Sequence, residues 1–148
     1  AELHKLESGL DVDYRLSTAE GLADTSPETY DIVCCLEMLE HVPNPDRVVA
    51  ACADLAKPGA DLYFSTINRN PKSFLFAIVG AERILRLLPA GTHEYEMLIR
   101  PSELGSWLRA AGLRMERMTG LSYNPISKRY RLIEDDVSVN YMVHATKL

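Results

Sequence analysis

Glu37, Glu40 and His41 are the residues of this 148-residue chain whose types and spacing most suggest chemistry. In a helical turn, positions i, i+3 and i+4 share one face, so two carboxylates and an imidazole are expected to converge on one point. Two carboxylates together with oxygens of a bound substrate suit Mg²⁺, for which an imidazole is a less usual ligand. An imidazole also has a pKa suited to proton transfer near neutrality, which makes His41 a general base in the alternative reading. The structural reading is simpler: acidic residues near a helix start are stabilised by the helix dipole whatever the function.

The chain that must position these groups is 47% hydrophobic and 25% charged, with 16 basic and 21 acidic residues for a net charge of −5. That is enough for one globular domain, and it excludes a disordered tail, a collagen-like repeat or a disulfide-stapled miniprotein. The closest glycines, Gly105 and Gly112, are seven positions apart, so there is no Gly-x-Gly and neither a dinucleotide fingerprint nor a P-loop. The negative charge argues against non-specific nucleic-acid binding. Three cysteines, with Cys34 and Cys35 adjacent, lack scaffold spacing and point to a reduced, cytoplasmic setting. The longest apolar run, residues 74–81, is far shorter than the roughly 18 residues of a membrane span.

Read along the chain, the first residues are the last turns of a helix stopped by Gly9, so a cut N-terminus is expected. Residues 12–16 are predicted as a short strand and residues 30–36 as a buried one. Asn44-Pro45 supplies an N-cap and a first-turn proline for a helix with Val48, Val49, Cys52, Leu55 and Ala56 on its apolar stripe, ending at Lys57-Pro58-Gly59. Residues 61–66 are the next strand, which makes a parallel βαβ unit in a sheet covered by helices on both faces. Residues 68–100 are too long for a connection and too apolar for a solvated loop, and read as an insertion or lid. Pro101 opens a helix closed by Gly112. Strands at 113–121 and 137–146 then end the chain as an antiparallel pair at the sheet edge.

Tyr30-Asp31, Glu37 to Pro43, Lys57-Pro58-Gly59 and Phe64 to Asn70 together resemble an S-adenosylmethionine-dependent class I methyltransferase. Gly91-Thr92-His93, Met118 to Pro125 and Val139 to Met142 narrow the resemblance to the O-methyltransferase family of ubiquinone biosynthesis, which acts on catechol-type hydroxyls of polyprenylated rings. The resemblance implies a single partial domain over residues 1–148. Its fold would be a Rossmann-like α/β sheet, mostly parallel with a C-terminal antiparallel hairpin, its N-terminal strands missing. The family's glycine-rich loop would precede Ala1, so the chain alone is expected to bind the cofactor poorly and to be inactive. Two other readings stand beside this one: a non-catalytic methyltransferase-like fragment or interaction module, and another small-molecule class I methyltransferase.

By the same resemblance Leu36 lines the cofactor and Thr18, Ala19 and Glu20 lie at its adenine end, while Glu37, Glu40 and His41 form a magnesium site. The competing roles are core packing for Leu36 and a helix cap for Thr18 and Glu20. Asn68, at a strand end, is positioned to orient the ring, and His93 in the insertion to close over the substrate. His4 and His144 are expected to be structural.

Residues 69–86 hold Arg69, Lys72, Arg83 and Arg86 against Glu82, a local charge of +3. With Phe74 and Phe76 they make a basic amphipathic stretch suited to an anionic membrane surface, where a polyprenylated substrate would reside. A lid packed on the sheet, its arginines reaching water, is the plainer alternative. The expected location is cytoplasmic, peripheral on the inner membrane face of a bacterium or on the mitochondrial matrix side, with a ubiquinone-biosynthesis complex as partner.

Overall fold

The computed structural model describes residues 5, 7–74, 95–124, 127 and 129–148. Helix α1 (Ala19–Thr25) precedes strand β1 (Tyr30–Leu36), and helix α2 (Pro45–Leu55) leads into β2 (Ala56–Ile67). Helix α3 (Pro101–Ala110) is followed by β3 (Leu113–Asn124), β4 (Arg129–Ile133) and β5 (Asn140–Lys147). The strands form one sheet in the order β1-β2-β5-β3-β4. β1 and β2 are parallel, joined through α2 as the predicted βαβ unit, and the remaining pairings are antiparallel.

Side-chain alternation explains the layering. Val33 and Cys35 of β1, Leu62 and Phe64 of β2, and Val143 and Ala145 of β5 share one face and form the core with Val49 and Cys52 of α2 and Leu104 and Leu108 of α3. Helix α1 packs Ala23 against Ala51 and Leu55 of α2, on the same side. The expectation of helices on both faces is therefore corrected. Among the described residues they cover one face, and Ile32, Cys34 and Leu36 on the other are exposed.

Gly9, at φ +66 and donating to the Lys5 carbonyl at 3.1 Å, follows the helical residues Lys5, Glu7 and Ser8, where the sequence places a helix stop; residues 1–4 and 6 lie outside the described residues. Residues 12–16 are not a strand. Leu16 is fully exposed, and no described strand lies beside them to supply backbone partners. Helix α2 stops at Leu55, one residue short of the predicted stripe, because Ala56 already pairs with Tyr30 in the sheet. Pro45 opens it, but the Asn44 side chain makes no capping bond; only its carbonyl accepts from the Arg47 and Val48 amides.

The chain's end differs most from expectation. β5 and β3 are antiparallel, yet β5 lies inside the sheet between β2 and β3, and the edge belongs to β4, a strand beyond the two predicted at 113–121 and 137–146. The β5 interior explains why Tyr141, Val143 and Ala145 are wholly buried.

The described residues at either end of the 68–100 segment are tied down. A single helical turn at Pro71–Ser73 is closed by a capping box with Asn70, and Tyr95–Met97 forms a 3-10 turn. Ile99 donates to the Ile67 carbonyl at 3.0 Å, and Arg69 bonds to the Glu96 carbonyl at 2.9 Å and to the Glu103 carboxylate.

Candidate functional site

Ligands of open α/β sheets bind beyond the carboxyl ends of the parallel strands, which here are Leu36 of β1 and Ile67 of β2. At that end β1 breaks abruptly. Glu37 has φ +49, a left-handed conformation that costs a non-glycine residue about 1–2 kcal/mol. Ser65 offsets the strain: its carbonyl and its hydroxyl both accept from the Glu37 amide, at 3.0 and 3.1 Å. The Glu37 carboxylate also accepts from Asn140 Nδ2 at 3.5 Å, a long contact reaching across from β5.

The break carries the chain into a 3-10 turn, Leu39–His41, which seats Leu39 in the core and buries Glu40 to 4% exposure. Glu40 Oε2 accepts from Thr66 Oγ1 at 2.7 Å, whereas Oε1 is buried without a donor. His41 is exposed at the end of the turn. The predicted convergence on one helical face is thus corrected, since Glu37 lies outside the turn at positive φ while Glu40 points into the protein. Among the described residues no three His, Cys, Asp or Glu side chains are placed to hold a metal ion. Among the described residues Glu40 Oε1 is the one buried side-chain oxygen left without a partner, but the ligand set around it is not assembled, so the trio does not fit a magnesium centre as arranged.

Leu36 is half exposed at the strand end, an apolar side chain held out where a ligand would lie. Thr18 is the N-cap of α1, its Oγ1 accepting from the Gly21 amide at 3.1 Å, with Glu20 exposed in the first turn and Ala19 packed against the core. The helix-cap role is therefore real, and it leaves this helix start on the solvent side.

Asn68 is spoken for by structure. Its Nδ2 donates to the Val137 carbonyl at 2.9 Å and its backbone amide to the Val139 carbonyl at 2.7 Å, so it braces the link between β4 and β5. His144 is structural as expected, with Nε2 2.7 Å from Asp61 and its ring stacked on Tyr63. Phe74 is part-exposed and meets Tyr95 edge-on. His4, Phe76, Arg83, Arg86 and His93 lie outside the described residues.

Three residues that sequence reasoning missed shape this end of the sheet. Among the described residues Thr66 is the only donor to Glu40, and Ser65 steadies Glu37. Tyr141, opposite Thr66 in register, donates its hydroxyl to the Ile99 carbonyl at 3.0 Å; burial, then the charges of Glu103 and Glu40, push its phenol well above the usual range. The signal available was register, because Thr66 and Tyr141 are neighbours only once β5 is placed beside β2. Behind β1, a hydrogen bond between the buried thiols of Cys35 and Cys52 lowers the first and raises the second. A surface pocket of about 180 Å³ lies on the helix side, between Val42, Pro45, Arg69, Glu103 and Trp107.

The fold and this strand-end site define an α/β domain of the class I methyltransferase type. It superposes on a SAM-dependent methyltransferase from Thermotoga maritima with a TM-score of 0.69 at 18% identity, covering 99% of this chain and 70% of that one. A second such enzyme, from Archaeoglobus fulgidus, gives 0.64 at 18% identity over 99% and 72%. Residues 7–117 match the family model described as a methyltransferase domain, and the chain belongs to that family. It is 60% identical over its whole length to a protein of Saccharophagus degradans named ubiquinone biosynthesis O-methyltransferase, covering 63% of that protein. It is 63% identical to the protein of the same name from Hahella chejuensis, over 99% of this chain and 61% of that one. The chain therefore spans about three-fifths of the length of the curated relatives it matches.

Proposed function

We propose that this chain is the larger part of an S-adenosylmethionine-dependent O-methyltransferase of ubiquinone biosynthesis, acting on a catechol-type hydroxyl of a polyprenylated ring. The observation that carries the reading is identity of about 60% to proteins of that name along the whole chain. The cofactor supplies an electrophilic methyl group on a sulfonium. Leu36 and the helix start at Thr18, Ala19 and Glu20 hold its adenosine end. A free phenol has a pKa near 10 and is a poor nucleophile while protonated. His41, exposed at the strand end, takes the hydroxyl proton as the oxygen–carbon bond forms and the carbon–sulfur bond breaks in line. Glu40 keeps one buried oxygen open for a donor brought by the substrate or an ordered water. No step runs through a metal.

Asn68 acts by holding the 137–139 link in place, and His93 closes over the substrate. Residues 74–88, with Phe74, Phe76, Arg83 and Arg86, dock on an anionic bilayer where the substrate resides. The protein works there as a peripheral enzyme, facing the cytoplasm or the mitochondrial matrix, beside other enzymes of the pathway. No helix of the described residues is long and apolar enough to cross a membrane.

The test is methyl transfer by the complete protein to a polyprenyl catechol. The expected result is a methyl ether with stoichiometric S-adenosylhomocysteine, and a His41→Ala loss of about 10²–10⁴ in turnover at unchanged S-adenosylhomocysteine affinity. No product from any catechol, or full turnover by the variant, overturns the reading. The 148-residue chain alone is expected to bind S-adenosylhomocysteine at least about a hundredfold more weakly, because it holds no Gly-x-Gly loop.

A further inference from the structure

Every residue of β4 is exposed at the open edge of the sheet. Register pairs Tyr123 with Tyr130 and Leu121 with Leu132, which places these four on one face of the β3–β4 hairpin. Tyr130 is 68% and Leu132 64% exposed, and the rings of Tyr123 and Tyr130 lie 4.8 Å apart. Arg129 and Arg131 alternate with them along the edge. Residues 120–133 carry Lys128, Arg129 and Arg131 and no acidic residue, in a chain of net charge −5.

The nearby acidic turn, Glu134 to Asp136, makes no ion pair with these arginines among the described residues. Glu134 is paired with Arg117 and Asp136 with Lys72, while among the described residues neither Arg129 nor Arg131 has an ion-pair partner. The hairpin also leaves the same end of the sheet as the insertion. Asn68 donates to the Val137 carbonyl and Asn70 to the Ser138 carbonyl at 2.7 Å, tying the hairpin's return to the first residues of the insertion.

We propose that the β3–β4 hairpin is itself a docking surface for an anionic lipid bilayer. Tyr123, Tyr130 and Leu132 enter the interface, and Arg129 and Arg131 reach around the open edge to lipid phosphates. Exposed tyrosine and leucine beside uncompensated arginines match the amphipathic requirement of such an interface, and their charge complements anionic headgroups. A second copy fits worse. Antiparallel pairing of two β4 strands about their centre sets Arg131 against Arg131, and like charges directly opposed destabilise a strand pair. The inference is separate from docking by residues 74–88 and rests on the hairpin's geometry, not on the methyl-transfer reading.

The experiment is co-sedimentation of the complete protein with vesicles of phosphatidylcholine alone and of phosphatidylcholine with phosphatidylglycerol, for wild type, Arg129→Gln/Arg131→Gln and Tyr130→Ser/Leu132→Ser. Wild type is expected to bind the anionic vesicles preferentially. The arginine pair should lower partitioning about fivefold per charge removed, and the apolar pair about tenfold or more. Because all four side chains are exposed, melting temperatures and turnover of a water-soluble catechol should not change. Equal binding to both vesicle types overturns the proposal, as does binding that neither double variant weakens. So does a change of oligomeric state with no effect on vesicles, which assigns the face to a second copy. Loss of methyl transfer with vesicle binding as expected would count against the enzyme reading alone.

Discussion

Thr66 Oγ1 donates to Glu40 Oε2 at 2.7 Å, and among the described residues it is the only hydrogen bond the buried Glu40 carboxylate receives. One oxygen is satisfied by the neighbouring strand and the other is left open. A buried acceptor without a donor is costly, and the proposed role of Glu40 gives this half-satisfied carboxylate at the strand ends a donor from the substrate or an ordered water.

Two substitutions separate the structural from the chemical role. Thr66→Val removes the one donor and leaves both Glu40 oxygens unpaired, with an expected loss of about 2–4 kcal/mol in unfolding free energy. Glu40→Gln keeps an acceptor for Thr66 and removes the charge. It should change stability by no more than about 1 kcal/mol while lowering turnover of the complete protein, with S-adenosylhomocysteine affinity held. Urea denaturation and steady-state assays on both variants provide the measurement. A Thr66→Val midpoint equal to wild type would show that the bond contributes nothing.

How far the sequence revealed this arrangement depended on range. Helices α2 and α3 and strand β1 follow from apolar periodicity, and Gly9 and Gly112, at φ +66 and +71, end helical segments where their type predicts. The parallel βαβ unit was legible because its partners are close in sequence. Residues 12–16 carry strand-like residues but no partner, so the propensity has nothing to pair with. The alternation Arg129-Tyr130-Arg131-Leu132 is a strand signal that the surrounding polar residues masked. The Glu37–His41 reading failed for a local reason. It assumed helical spacing, while β1 ends in a left-handed residue that glutamate seldom adopts, and no sequence rule announces it. Thr66 and Ser65, which fix that turn, come from a strand that meets it only in the folded sheet.

The acid limb of stability should report on the hairpin's base. The Asp136 carboxyl is held below its usual range by the Ser138 hydroxyl first, then by the Ser138 backbone N–H and by Lys72. A carboxyl whose folded pKa is depressed contributes stability that is present above its unfolded pKa, about 4, and is lost as pH falls through the folded value. Asp136→Asn should therefore leave a melting temperature that declines less between pH 5 and pH 3 than that of wild type, with the two curves separated at neutral pH and converging in acid. Parallel curves over that window would remove Asp136 from the account.

Gly120 provides the sharpest packing test, because it and Gly59, both in β-strands, would resist a side chain for different reasons, a backbone clash at Gly120 and a left-handed conformation at Gly59. A Cβ on Gly120 would coincide with the Asp136 carbonyl, with the Ile133 carbonyl also close. Both neighbours are backbone, so no side-chain rotation relieves the clash, and the 134–139 link must move off the sheet. Gly59 has φ +79 but open space around it. Gly59→Ala is expected to cost about 1–2 kcal/mol for the left-handed conformation alone. Gly120→Ala should cost about 3 kcal/mol or more, and in moving Asp136 it should also abolish that residue's acid-limb signature. Denaturant midpoints for the two variants give the order directly, and a Gly120→Ala protein as stable as Gly59→Ala would mean that the link does not cross β3 as closely as the structure places it.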